Sequence, residues 1–76
     1  MSAGRNPDSD IFLDDLTVSR RHVKFERENG EVRIVDVGSL NGTYVNRQPV
    51  DSVVLANNDR IQIGMFRLVF LTRGNS

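Results

Sequence analysis

The stretch HVKFERENGEVRIV, residues 22–35, determines the predicted fold class of this 76-residue chain. Its first half alternates between polar and apolar side chains, which is typical of a β-strand with Val23 and Phe25 facing a core. Asn29 and Gly30 then supply the positive φ angles that a two-residue hairpin turn requires. The alternation resumes after them, so the stretch predicts an antiparallel β-hairpin.

Short apolar runs separated by turn residues continue on both sides of this hairpin. Further strands are predicted at residues 11–13, 43–45, 53–55, 60–63 and 66–71. Short strands at roughly ten-residue spacing indicate an all-β protein, either an antiparallel sandwich or a barrel. No long helix is predicted, and residues 18–21 are the best candidate for a single helical turn.

The composition fits one small globular domain, because 38% of the residues are hydrophobic and 26% are charged. Ten basic and ten acidic residues cancel, so any anion site must be local and no nucleic-acid or membrane partner is expected. No apolar run approaches the ~20 residues of a membrane-spanning helix. Without a signal-peptide pattern the expected location is cytoplasmic, and without cysteine there is no disulfide or thiolate chemistry.

Three polar clusters fall between the predicted strands. They are Gly4-Arg5, then Ser19-Arg20-Arg21-His22, then Ser39-Leu40-Asn41-Gly42. Loops of a sandwich can gather at one of its ends. Guanidinium groups bind phosphate oxygens, a serine hydroxyl adds a donor, and an asparagine amide can both donate to and accept from a peptide main chain. The clusters therefore predict a site for a phosphate carried on a peptide.

Plainer structural interpretations stay open for each cluster. A single loop arginine such as Arg5 is usually solvated. Arg20 and Arg21 could form surface ion pairs with nearby aspartates at little energetic gain. Asn41 followed by glycine is first of all a turn signal, and His22 at the start of a strand is more often structural than catalytic.

An enzyme and a metalloprotein are both disfavoured by the sequence. Ser19, His22 and Asp36 supply the residue types of a nucleophilic triad, but no nucleophile-elbow motif accompanies them. One histidine without cysteine cannot form a zinc site. The aspartates between residues 8 and 15 lack the spacing of a calcium loop. No catalytic residue, metal or cofactor is therefore predicted.

Taken in order, with β-strands between them, the clusters resemble the forkhead-associated (FHA) domain. The family pattern is Gly-Arg, then Ser-x-x-His, then Asn-Gly. It is matched here by Gly4-Arg5, Ser19-Arg20-Arg21-His22 and Asn41-Gly42-Thr43, followed by Val45-Asn46. The resemblance assigns residues 4–72 to an FHA domain and residues 73–76 to a tail.

A narrower resemblance is carried by the segments GRNPDSDIFLDDLTVSRRH, VDVGSLNGTYVNRQPVDS and QIGMFRLVFL. They are similar to the small actinobacterial FHA regulators that inhibit 2-oxoglutarate dehydrogenase. The resemblance implies an eleven-stranded FHA-type antiparallel β-sandwich whose apical loops bind phosphothreonine peptides without catalysis. It also implies a place in Ser/Thr-kinase signalling that regulates 2-oxoglutarate and glutamate metabolism.

The resemblance also implies roles for individual residues. The phosphate would be held by Arg5, Ser19 and Arg20. The peptide main chain would be bound by Asn41 and by the backbone of Leu40. The loops would be shaped by Gly4, His22 and Gly42. Arg21 receives no role.

The implied partners are phosphothreonine proteins, Ser/Thr protein kinases, 2-oxoglutarate dehydrogenase and glutamate-metabolising enzymes. An alternative function is a phosphorylation-independent contact with metabolic enzymes through the same apical loops. The family domain begins with further strands before Gly-Arg, and three residues precede Gly4 here. The first N-terminal strands are therefore expected to be missing from this chain, which would leave an exposed edge for a complementing chain or a strand-swapped dimer to cover.

Overall fold

The computed structural model describes residues 1–72 and forms nine β-strands. They are β1 (Ser2–Gly4), β2 (Ile11–Phe12), β3 (Val23–Glu28), β4 (Glu31–Asp36), β5 (Thr43–Val45), β6 (Gln48–Val50), β7 (Ser52–Val54), β8 (Arg60–Ile63) and β9 (Phe66–Val69). One sheet has the order β2-β1-β3-β4-β7 and the other the order β6-β5-β8-β9. The predicted all-β sandwich is confirmed. The predicted tail, residues 73–76, lies outside the described residues.

The central hairpin forms as residues 22–35 predict. β3 and β4 pair antiparallel, with Phe25 opposite Ile34 and Glu28 opposite Glu31. Asn29 and Gly30 occupy the turn with φ angles of 54° and 79°. This pairing makes the hairpin the centre of the five-stranded sheet.

The core lies between the two sheets, because alternate residues of the strands face inward. The buried hydrophobic side chains are Ala3, Leu13, Val18, Val23, Ile34, Val45, Leu55, Ile61 and Ile63. Phe25 was predicted to face the core but is only half-buried, and Phe12 is 48% exposed. The buried core therefore consists mostly of Val and Ile side chains, and Phe25 packs against it from its edge.

Three local features differ from the sequence-based predictions. β1 and β6 were not predicted, because the short segments SAG and QPV have little β-propensity. Residues 18–21 form no helical turn; the Val18 N–H closes a turn onto the Asp15 carbonyl, and the chain bends again at Arg20 and Arg21 before β3. Within residues 1–72 all strand pairs are antiparallel except β1 with β2.

An apolar cleft of about 490 Å³ opens between the sheets at the end where β3 finishes and β4 begins. Phe25, Val32, Leu68 and Phe70 are among the residues that line it. The described residues form nine strands, whereas the resemblance implied eleven. The core is partly open at the end where the cleft lies. No helix in residues 1–72 is long and apolar enough to cross a membrane.

Candidate functional site

Three loops meet at the opposite end of the sandwich. We call them the Arg5 loop (residues 5–10), the Ser19 loop (residues 13–22) and the Asn41 loop (residues 37–42). The Arg5 N–H donates to the Ser19 carbonyl at 3.0 Å, which joins the first two loops. The Ser19 hydroxyl accepts the Leu40 N–H at 2.9 Å, which joins the second to the third. The structure therefore brings the three predicted clusters together.

Gly4 allows the Arg5 loop and the Ser19 loop to approach each other. A Cβ atom at this position would lie 2.2 Å from the Arg20 carbonyl oxygen and 3.1 Å from the Ser19 carbonyl oxygen. The same two carbonyls accept hydrogen bonds from the N–H groups of Arg5 and Asn6, at 3.0 and 3.2 Å. The backbones are thus in direct contact, and no side chain fits between them.

We expect Gly4→Ala to lower the free energy of unfolding by about 2–3 kcal/mol, because two hydrogen-bonded backbone segments must separate. Gly30→Ala is the matched control, since Gly30 has φ +79° but open space around its Cβ position. That variant should lose only about 1 kcal/mol through backbone strain. Urea unfolding measures both values. Equal losses would contradict the close contact at Gly4.

His22 connects the Ser19 loop to the Asn41 loop through a fully buried imidazole. Its Nδ1 accepts the Ser19 N–H at 3.1 Å, and its Nε2 lies 2.8 Å from the Gly42 carbonyl oxygen. Since Nδ1 accepts a hydrogen bond, Nε2 carries the hydrogen and donates to Gly42. Gly42 has φ +85°, which turns its carbonyl towards the imidazole. One ring thus fixes the positions of both loops.

The triad considered from the sequence does not form. His22 contacts the backbone N–H of Ser19 rather than its hydroxyl, and the Ser19 hydroxyl binds the Leu40 N–H instead. The Asp36 carboxylate binds residues of its own loop and Thr43 rather than the imidazole. The three side chains therefore have separate structural partners and no shared proton-transfer path.

Asp36 organises the Asn41 loop from the end of β4. Its Oδ1 accepts the N–H groups of Gly38 and Ser39, each at 2.8 Å. Its Oδ2 accepts the hydroxyl groups of Ser39 and of the buried Thr43. The Ser39 hydroxyl in turn accepts the Gly42 N–H at 3.0 Å. The turn before Gly42 is therefore built around one carboxylate.

These contacts change the acidity of Asp36. Partial burial acts to raise its pKa, but the hydrogen bonds from Ser39, Thr43 and Gly38 outweigh burial and lower the pKa from 3.8 to about 2. The charged form is thus the one that the folded loop stabilises.

We expect Asp36→Asn to remove a pH-dependent part of the stability. Because the pKa is lowered in the folded state, the contribution is fully present above the unfolded value of 3.8 and is lost as the pH falls through about 2. The side chain is partly solvated, so the contribution is about 1–2 kcal/mol. Urea unfolding of both proteins at several pH values measures it. A difference between them that does not shrink below about pH 3 would contradict this prediction.

Arg5 and Ser19 are held by the fold in ways that leave hydrogen-bond donors unused. The Arg5 Nε donates to the Val18 carbonyl at 3.0 Å, which fixes the plane of the guanidinium and leaves both terminal nitrogens with no partner among the described residues. The Ser19 hydroxyl accepts the Leu40 N–H, so its own hydrogen is available to donate. Both residues are half-buried, and the backbone hydrogen bond from Arg5 to Ser19 joins their loops.

Arg20 and Arg21 are both exposed, and neither forms an ion pair within residues 1–72. The surface ion pairs with Asp14 and Asp15, one of the plainer interpretations of these arginines, are therefore absent from the described part of the chain. The Arg20 backbone is fixed by its contacts with Gly4 and Asn6, while its side chain is free to reach an anion. Arg21 lines a separate cleft with Lys24 and Asp8.

Asn41 and Leu40 stand at the rim of the site. The Asn41 Nδ2 donates one hydrogen to the Thr17 carbonyl at 2.8 Å, which leaves its second hydrogen and its Oδ1 for another partner. Leu40 is 89% exposed, and its N–H is already bound to Ser19. Only its carbonyl remains for a contact with a bound main chain.

Thr17 is a residue of this site that we did not predict from the sequence. Its carbonyl binds Asn41, its hydroxyl accepts the Met65 N–H at 2.9 Å, and its own N–H binds the Asp15 carboxylate. It also packs against Gly64, where a Cβ atom would lie 2.5 Å from the Thr17 hydroxyl oxygen. An aspartate two residues before a threonine is a known local turn signal, and it could have identified this segment.

Comparisons with known proteins add information about family. A family model described as the FHA domain matches residues 1–64. The glycogen accumulation regulator GarA of Mycolicibacterium smegmatis is 78% identical over 71 residues, which are 93% of this chain and 45% of that protein. The oxoglutarate dehydrogenase inhibitor of Corynebacterium jeikeium is 70% identical over 70 residues, which are 92% of this chain and 49% of that protein. The chain thus spans about half the length of these curated relatives.

A solved structure gives the same result for the fold. The structure comes from a structural and functional study of phosphothreonine-dependent FHA domain interactions. It superposes with a TM-score of 0.92 at 32% sequence identity, covering 97% of this chain and 77% of that one.

Proposed function

Because the chain belongs to the FHA family, we propose that its three apical loops bind phosphothreonine peptides. FHA domains are binding modules rather than enzymes, and the relatives are named as a regulator and an inhibitor, in agreement with the prediction that this chain is not an enzyme. The proposed phosphate ligands are Arg5, Ser19 and Arg20. The proposed main-chain ligands are Asn41 and the backbone of Leu40.

The observation that carries this proposal is the presence of unused hydrogen-bond donors in loops that hydrogen bonds join together. The Arg5 terminal nitrogens, the Ser19 hydroxyl hydrogen and the Arg20 side chain all belong to segments connected by direct hydrogen bonds. A phosphothreonine carries a charge of about −2 and presents three acceptor oxygens. A peptide phosphate placed there would receive charge-assisted hydrogen bonds, and the fold already orients the Arg5 and Ser19 donors.

The energies are sufficient for reversible signalling. Each charge-assisted hydrogen bond contributes about 1.5–3 kcal/mol, so three or four of them contribute about 5–12 kcal/mol before ordering costs are subtracted, a range that includes the ~8 kcal/mol of micromolar binding. A carboxylate mimic should bind poorly, because it carries one charge and lacks the tetrahedral oxygens. Threonine should be preferred to serine, since its γ-methyl adds about 0.8 kcal/mol when buried and its χ1 angle is restricted.

A peptide titration tests the proposal. Isothermal calorimetry would compare one threonine peptide in its phosphorylated and unphosphorylated forms, with a phosphoserine peptide and a glutamate peptide of the same sequence as controls. Micromolar binding of the phosphothreonine form alone is the expected result. Equal binding of the unphosphorylated form would overturn the proposal.

The relatives' names extend the proposal to metabolism. Since one relative is named as an inhibitor of oxoglutarate dehydrogenase, we include that enzyme among the proposed partners, together with glutamate-metabolising enzymes and Ser/Thr protein kinases. A cytoplasmic location belongs to the same proposal, because a cysteine-free regulator of metabolic enzymes would act there.

Self-association through the open apolar cleft is also proposed, and sedimentation tests it.

A second function, binding to an unphosphorylated enzyme surface, is favoured by the apolar rim of the site. Leu16, Leu40 and Met65 are 87%, 89% and 64% exposed, and they neighbour Thr17 and Asn41. Exposed apolar side chains next to polar loops are typical of protein interfaces. If this function holds, Leu40→Ala should weaken binding to the unphosphorylated enzyme, and phosphatase treatment should leave that binding unchanged.

A further inference from the structure

Three arginines lie on the outer face of the four-stranded sheet. β8 and β9 pair so that Arg60 is opposite Val69 and Gln62 is opposite Arg67. Their neighbours Ile61 and Ile63 are buried, so Arg60 and Gln62 point away from the core. Arg47, in the turn between β5 and β6, completes the group, and the three arginines line a cleft of about 170 Å³. We call Arg47, Arg60 and Arg67 the arginine face.

Among residues 1–72, no carboxylate forms an ion pair with Arg47, Arg60 or Arg67. The ion pair found among residues 1–72 joins Lys24 to Glu26, on the other sheet. Asp59 precedes Arg60, but its two oxygens accept hydrogen bonds from the Asn46 side chain and the Ala56 N–H, at 2.9 and 2.8 Å. The chain as a whole has a formal net charge of zero, so the arginine face is a local concentration of positive charge.

A second cleft connects this face to the candidate phosphopeptide site. It has a volume of about 560 Å³, and its lining includes Asn41, Gly42 and Tyr44. Arg47 and Gln62 line both this cleft and the smaller one. Tyr44 pairs with Gln62, which in turn pairs with Arg67. The surface from the Asn41 loop to the arginine face is therefore continuous.

We propose that the arginine face binds an acidic segment of the same protein that presents the phosphothreonine. This inference rests on the proposed function and adds the chemistry of the partner beyond the phosphate. Exposed guanidinium groups without carboxylate partners favour carboxylates as ligands, since Arg and carboxylate can pair through two parallel hydrogen bonds. Three strands side by side span roughly 10 Å, or about three residues of extended chain. The acidic residues should therefore begin about four residues beyond the one that Asn41 contacts.

Peptides with different tails test this inference. A short phosphothreonine peptide would be compared with versions that carry a tail of glutamates or of glutamines, attached at either end in separate peptides. We expect the glutamate tail, at one end, to raise affinity about tenfold at low ionic strength, because each exposed pair contributes a factor of about two to three. The gain should fall with added salt and should drop to about two- to threefold in the Arg60→Gln/Arg67→Gln variant, which keeps Arg47. Arg27→Gln removes an exposed arginine from the other sheet; it is the control for losing a positive charge elsewhere and should keep the full gain.

Arg47 offers a variant in which stability and affinity should change in opposite directions. Its φ angle of 69° lies in the left-handed region, where glycine is less strained than arginine. Arg47→Gly should therefore raise the melting temperature by about 4–8 °C while lowering the gain from the glutamate tail by a factor of about two to three.

The outcomes separate this inference from the proposed function. If the short phosphopeptide binds but glutamate and glutamine tails give the same affinity at both ends, the inference is overturned and the proposed function stands. A gain that stays about tenfold in Arg60→Gln/Arg67→Gln also overturns the inference. If the short phosphopeptide does not bind, the inference and the proposed function are both overturned.

Discussion

Arg5→Ala is expected to weaken the binding of a phosphothreonine peptide by about 100-fold or more. The Nε of Arg5 is held by the Val18 carbonyl, so both terminal nitrogens can face a phosphate without further ordering of the side chain. Loss of two charge-assisted hydrogen bonds removes about 3–6 kcal/mol, and about 2.7 kcal/mol already corresponds to 100-fold. Calorimetry with one phosphopeptide and both proteins measures the ratio.

Two companion variants make this prediction specific to the guanidinium group. Arg5→Lys keeps the charge but loses the planar fork, so we expect a loss of about tenfold. Arg27→Ala removes an exposed arginine from β3 and should bind like the wild type. Thermal unfolding must accompany each measurement, since Arg5→Ala also leaves the buried Val18 carbonyl without its donor. Wild-type affinity in folded Arg5→Ala would show that the phosphate is held elsewhere.

The fold could be predicted largely because its signals are local. The alternation around Val23 and the Asn29-Gly30 turn specify the central hairpin without reference to the rest of the chain. β1 could not be predicted in this way. Its three residues SAG become a strand only because β2 and β3 lie on either side of them. Tertiary pairing therefore outweighs their weak intrinsic propensity.

The candidate site was predictable as a set of residues but not as a hydrogen-bond network. The family pattern identifies Arg5, Ser19 and Asn41, whose roles as ligands are still predictions. Thr17 joins Asn41 to Met65, which lie 24 and 48 positions from it along the chain. No local sequence pattern encodes such contacts. Contacts between loops that are distant in the sequence could therefore be identified only from the structure.

His22→Ala is expected to lower the free energy of unfolding by about 3–4 kcal/mol, which is a large share of the total for a domain of this size. The imidazole is fully buried, so its removal leaves a cavity. The Ser19 N–H and the Gly42 carbonyl also lose their partners at the centre of the site. The melting temperature should fall by about 15 °C or more.

Partial replacements separate the cavity from the two hydrogen bonds. His22→Gln can keep a donor for the Gly42 carbonyl, and His22→Asn can keep an acceptor for the Ser19 N–H. Each variant should therefore lose about half as much stability as His22→Ala. Each should also lower phosphopeptide affinity at temperatures well below its melting temperature, because one of the two loops is no longer fixed. If His22→Ala kept both wild-type stability and wild-type affinity, the imidazole could not be the link that positions Ser19 relative to Asn41.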